Sequence, residues 1–290
     1  MSLVRRFPDT RWDDGGPTRA IESLVESGLV LVFPELAFPL EDGERRFLDP
    51  RWTDARDKNI SLRWPAGTLR GTSADGADRD AIGALVARFA ETSERFARRL
   101  FPHYGAHMAR GNTSLRTLAL TTAPRSWRQD DSRLHVDAFP SNPMRGTRLL
   151  RVFTNVNPEG LARRWRVGEA FDAHAARFVG RLTRPLPGSA ALLHTLGITK
   201  RRRSGYDHHM LQLHDAAKAD LGFQSGSPQE RVDFAPGTTW VCFSDQVPHA
   251  AAGGQHMLEQ TLLVERAGLV APEHSPLGVL ERLTGRTLLA

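Results

Sequence analysis

Arg148-Leu149-Leu150-Arg151-Val152-Phe153-Thr154-Asn155-Val156-Asn157 reads as a β-strand, and its two faces differ. Side chains alternate across a strand, so Arg148 shares a face with Leu150 and Val152. Arg151 shares the other with Phe153, Asn155 and Asn157. Around it, Leu115 to Thr122, His135 to Phe139, Ala190 to Leu196, Thr238 to Ser244 and Leu258 to Glu265 read as further strands, broken by Pro, Asn and Gly. Gly28 to Phe33 is a short apolar run after a brief helix, and suits a buried strand.

Helices lie before and between these segments. From Asp80 to Tyr104, Ile82, Leu85, Val86, Phe89, Phe96 and Leu100 recur at helical spacing, and Pro102 ends the run. Phe171 to Leu182 and Gly205 to Leu221 read as two more helices, and a short one follows Pro276. The pattern predicts an α+β chain: a double-stranded β-helix (a jelly-roll, cupin-like core) with helical decoration. No internal repeat or low-complexity linker divides it. We therefore expect one domain over 1–290, with a mainly helical part at 1–110, the jelly-roll core at 111–266 and a tail helix at 267–290.

The function within that frame begins at Leu134-His135-Val136-Asp137 and, far downstream, Val247-Pro248-His249. On a strand, His135 and Asp137 point the same way. Two His and one carboxylate on one side of a metal leave the opposite positions open, the facial triad of non-haem Fe(II) oxygenases. Zinc accepts the same donors. A polar strand pair plus a loop histidine is the bland alternative, because His-x-Asp is a short motif. The other histidines make weaker cases. His103 and His107 are interrupted by Pro102 and Gly105. His208, His209 and His214 read as a solvated or substrate-facing helix surface, and His194 as a core or barrel-mouth residue.

An Fe(II) oxygenase commonly takes 2-oxoglutarate beside O2, and the far carboxylate of that acid needs a buried cation. Arg matches a carboxylate at two points. Arg151 is the inward candidate, with Asn155 on the same face. Arg116 shares a face with Ser114 and Leu118, and holds either a second carboxylate or a structural ion pair. Arg148, Lys200 and Arg201 are further candidates for an anionic substrate.

Composition narrows the setting. The chain has 290 residues, one cysteine (Cys242) and a net charge of +6. A single cysteine precludes an internal disulfide and suits a reducing compartment. There is no apolar span and no signal-peptide pattern, so a cytoplasmic protein is expected, with peripheral contact at an anionic membrane surface. The basic excess, including Lys200-Arg201-Arg202-Arg203, implies an anionic partner. The absence of interleaved aromatic residues argues against nucleic acid.

A longer block carries a family resemblance. Ser126 to Ser141, Gly146 to Pro158, Lys58-Asn59-Ile60-Ser61 and Gly253 to Thr261 resemble the Kdo 3-hydroxylase family, over about Glu22 to Glu265. That family comprises Fe(II)- and 2-oxoglutarate-dependent dioxygenases that hydroxylate C3 of Kdo in Kdo-lipid A to give Ko, a step in lipopolysaccharide biosynthesis. The resemblance implies a double-stranded β-helix, iron held by His135, Asp137 and His249, and work at the cytoplasmic face of the inner membrane. Arg116 and Arg151 also have matching positions, whereas the Lys200 to Arg203 run does not. Two rivals stay open at this point: an oxygenase of the same chemistry acting on protein or nucleic acid, and a non-catalytic jelly-roll protein that binds anionic glycolipid.

Overall fold

A computed structural model describes residues 2–13, 21–120 and 126–289. Eleven strands are formed among them: β1 (Val4–Arg6), β2 (Val30–Phe33), β3 (Ile60–Arg63), β4 (Thr68–Arg70), β5 (Met108–Arg116), β6 (Arg148–Asn155), β7 (Arg163–Gly168), β8 (Gln229–Phe234), β9 (Thr239–Phe243), β10 (His249–Gly253) and β11 (Met257–Val264). Eight make one mixed sheet in the order β1-β2-β9-β6-β11-β5-β3-β4, and β10-β7-β8 make a second. The helices are α1 (Glu22–Glu26), α2 (Gly76–Leu100), α3 (Phe171–Phe178), α4 (Ser189–Thr195), α5 (Gly205–Ala219), α6 (Leu221–Gly226) and α7 (Pro276–Thr284).

β6 lies between β9 and β11, and both ladders are antiparallel. Its apolar alternation is therefore used on both faces. Leu150 and Val152 pack with Phe243, Leu258 and the buried stripe of α2, which includes Ile82, Val86 and Phe89. Phe153, on the other face, meets Trp165 of β7, with ring centroids 5.1 Å apart. Trp165 also stands edge-on to Trp240 at 5.5 Å. This aromatic cluster joins the two sheets; full burial of one such ring stabilises by about 1.5–3 kcal/mol. A third cluster, of α3, α5 and α7, closes around Leu134 and Val136. α5 begins where Ser204 and Asp207 form a reciprocal capping box.

Several sequence expectations change. The part at 1–110 holds more helix than strand, α2 above all, but it also supplies β1 to β4, which are mostly not expected from the sequence and all join the large sheet. Strands of three or four residues are too short to display a period of two, and exist because a neighbour pairs with them. Ala190 to Leu196 is α4, not a strand. Its Ser-Ala-Ala-Leu-Leu start holds no β-branched residue, and Ala and Leu favour helix. His194 consequently lies on an exposed helix, not in a core or a barrel mouth. His135 to Phe139 is extended but carries only the bridge His135↔His249. The strand expected over Leu115 to Thr122 ends at Arg116, and its last two residues fall outside the described ones.

Candidate metal centre

His135 and Asp137 are held in place by backbone pairing. His135 N–H donates to the His249 carbonyl at 3.1 Å, His249 N–H donates back at 2.9 Å, and Asp137 N–H donates to Ser244 at 2.9 Å. Leu134 and Val136 alternate with them and are fully buried in the helical cluster. Burying those two turns the polar pair toward the gap between the sheets. One ligand atom from each of His135, Asp137 and His249 then lies within 4.8 Å of the others.

The imidazoles are presented in one tautomer. Nδ1 of His135 lies 2.7 Å from the Arg133 carbonyl, and Nδ1 of His249 lies 2.9 Å from that of Val247. A carbonyl only accepts, so each Nδ1 carries the hydrogen and each Nε2 offers a lone pair. Trp165 stacks on the His249 ring at 5.0 Å and 22°. His214 sets its ring edge-on to His135 at 5.4 Å. Burial, and then the neighbouring His249, pushes His135 down to about 3, which keeps it neutral. Burial alone would raise Asp137. Arg151, 2.9 Å away, outweighs it and holds the carboxyl well below the usual range. Two neutral imidazoles and one carboxylate are the donors a divalent ion needs.

A cavity of ≈ 180 Å³ opens beside these residues. It is smaller than the roughly 300–1,000 Å³ of clefts for drug-sized ligands, and suits a small acid. Arg116, Arg151 and Arg163 line it, with Asp131, Asp137 and Glu259. Arg151 pairs with Asp137 and Glu259. Arg116 reaches Asp131 only at 3.8 Å, and Arg163 donates to the Gly254 carbonyl at 2.8 Å. Burial, and then the proximity of Arg116, lowers Arg163 to about 9. The Nε atoms of all three guanidinium groups are buried without a protein acceptor. Each such unmet donor costs roughly 1–3 kcal/mol, and three guanidinium groups lining one cavity favour an acceptor-rich anion.

The candidates from sequence separate accordingly. Arg116 and Arg151 line the cavity. Asn155 does not: its amide donates to the Leu161 and Phe234 carbonyls and ties β6 to neighbouring backbone. Arg148 faces away, fully buried, paired with Asp245 at 2.7 Å and donating to Gln246 at 2.6 Å. Nε and one terminal nitrogen are engaged there and the side chain is fully buried, so it is not at hand for a substrate. Lys200 and Arg201 are exposed beyond α4 and are not among the lining residues. Sequence reading missed Arg163 and Trp165. The alternation Arg163-Arg164-Trp165-Arg166-Val167 carried the signal: the buried members are Arg163, Trp165 and Val167. It also missed Asp131 and Glu259, whose partners Lys58 and Arg151 come from distant parts of the chain. His214, read as helix surface, lies against His135.

The family described as 3-deoxy-D-manno-oct-2-ulosonic acid (Kdo) hydroxylase matches residues 11–287, wider than the stretch from Glu22 to Glu265 that carries the resemblance. No curated protein sequence matches the chain. Among solved structures, the Kdo hydroxylase KdoO, a non-heme Fe(II) alphaketoglutarate dependent dioxygenase, is 43% identical. In complex with cobalt(II) it covers 100% of this chain and 98% of its own, with a TM-score of 0.95. With alphaketoglutarate and Fe(III) the coverage is 98% and 97% and the TM-score 0.93. With succinate and Fe(III) it is 100% and 98%, at 0.94.

Proposed function

This chain belongs to the Kdo hydroxylase family, and on that premise we propose that it is an Fe(II)/2-oxoglutarate-dependent dioxygenase that hydroxylates C3 of a Kdo sugar in Kdo-lipid A to give Ko. We read its two facing sheets as a double-stranded β-helix and 1–290 as one oxygenase domain, a reading supported by the aromatic core that both sheets share. The observation that carries the proposal is the juxtaposition of three converging ligand atoms with three arginines whose Nε donors lack partners.

His135, Asp137 and His249 would hold the metal on one face. Bound there with 2-oxoglutarate, Fe(II) supplies the O2-dependent oxidative decarboxylation to succinate and CO2 that drives the hydroxylation. The carbonyls of Arg133 and Val247 keep the two imidazoles turned toward the ion. Arg151 steadies the Asp137 carboxylate, while Arg116 and Arg163 offer two-point donors to the distal carboxylate of the co-substrate. Phe153, Trp165 and Met257 form the apolar wall that limits water. The charge count supports this co-substrate. Three arginines offset three carboxylates, and a dication and a dicarboxylate bring equal and opposite charge. The site therefore stays neutral when filled, which keeps the desolvation cost low.

Kdo is an acid borne on a lipid, so the reaction belongs at a membrane surface; we assign it to the cytoplasmic face of the inner membrane. No helix among the described residues is long and apolar enough to cross a bilayer. The test is a substrate panel with Fe(II), 2-oxoglutarate and O2. Kdo-lipid A should gain one oxygen in step with succinate release, and Asp137→Ala should abolish both. Turnover of an oligonucleotide or a protein, with none of Kdo-lipid A, would sink the proposal. Glycolipid binding without oxygen uptake would favour a non-catalytic role instead.

A further inference from the structure

Among the described residues, eight large apolar side chains are exposed, and four of them, Leu186, Leu192, Leu196 and Ile198, fall in one short segment around α4. Leu186 is 78% exposed, and no residue of α4 is buried. Single exposed apolar residues need no explanation, but a contiguous group marks a contact surface. The chemistry around the group is one-sided. Residues 181–203 contain Arg181, Arg184, Lys200, Arg201, Arg202 and Arg203 and neither Asp nor Glu. Arg181 pairs with Asp220, and Arg203 donates to the Pro140 carbonyl. Arg184, Lys200, Arg201 and Arg202 enter no ion pair with the described residues.

We propose that residues 184–203 dock the enzyme on an anionic phospholipid bilayer, with Leu186, Leu192, Leu196 and Ile198 seated below the phosphate layer and Arg184, Lys200, Arg201 and Arg202 on the phosphates. An apolar group edged by cations matches the layering of such a membrane. A second copy meeting this patch through a two-fold axis would set cations against cations. The patch is also tied to the metal centre. Lys200 N–H donates to the Ser141 carbonyl at 2.9 Å, and Arg203 reaches Pro140. Both acceptors lie on the stretch that continues from Asp137. A lipid-borne sugar would thus be met next to the loop that carries a metal ligand. This deepens the proposed reaction, but the surface stands or falls by its own test.

That test is flotation of the full chain with phosphatidylcholine vesicles, with and without phosphatidylglycerol. The chain should float only with the anionic vesicles, and added salt should weaken the binding. Leu192→Glu with Leu196→Glu should cut the bound fraction about tenfold or more, with turnover of water-soluble, deacylated Kdo oligosaccharide unchanged. Arg184→Ser with Arg202→Ser should remove the preference for anionic vesicles. Wild-type chain that binds neither vesicle overturns the proposal, as does a leucine variant that floats like wild type. A wild-type dimer that the leucine variant converts to monomer, with vesicle binding intact, would assign the patch to self-association and overturn it too. Turnover of the deacylated sugar by wild type tests the reaction separately.

Discussion

Burial keeps two histidines of this chain neutral, to different ends. His135 aims its Nε2 at the metal centre. His174 sits in α3 against Phe178 and Phe223, with ring centroids 5.3 Å away in both cases and both nitrogens unpartnered. Burial lowers His174 from 6.5 to about 4. A folded-state value below the unfolded one means that the unfolded chain takes up a proton first as pH falls. The stability is thus fully present above pH 6.5 and is lost as pH drops toward 4, by about 3 kcal/mol at most. In metal-free protein, urea midpoints should fall across this window, and His174→Leu should make the fall shallower; equal slopes would refute the assignment. The arginines divide in the same residue-by-residue way. Arg163→Leu should raise KM for 2-oxoglutarate about tenfold or more with a smaller change in kcat, since it removes donors to a carboxylate. Steady-state kinetics at varied 2-oxoglutarate checks it, and an unchanged KM would take Arg163 out of the co-substrate site.

At the scale of elements, β6 was legible because eight residues give the alternation time to declare itself. That period put Arg151 and Arg148 on opposite faces, and Asn155 and Asn157 beside Arg151 decided which face was inward; the two do face opposite ways. β7 was missed although Arg163, Trp165 and Val167 alternate, because arginines sit on both faces and weaken the period. The turn between β10 and β11 is what sets β7 at the right distance. Gly254 has φ +97°, and a Cβ there would lie 2.6 Å from the Ala162 carbonyl oxygen and 2.8 Å from the Arg163 Cα. Gly254→Ala should therefore cost about 1–3 kcal/mol from backbone strain and shift the strand that carries Arg163. The expected outcome is a lower urea midpoint together with a raised KM for 2-oxoglutarate. A change in stability with KM untouched would show that the turn does not position Arg163.

Taken whole, the molecule brings together ligands from two distant parts of the chain, so metal binding is coupled to folding. An ion that binds only the native state stabilises it by about 2.7 kcal/mol at a hundred times Kd. Co(II) should raise Tm in wild type and should do so far less in His249→Ala, measured by thermal melts under matched buffer. Equal rises in both would deny the triad its role. The sequence by itself determined the strand-rich core, the His-x-Asp pair with its distant partner and, through a long block of resemblance, the family. Those are local signals: periods of two and 3.6, and motifs of near neighbours. Only the tertiary structure decided that Arg163 and Trp165 join the cavity, that Asn155 and Arg148 are occupied elsewhere, and that α4 stands apolar and uncovered. The reason is physical. What a buried charge does depends on which partners lie within a few ångströms, and those partners come from strands far apart in the chain.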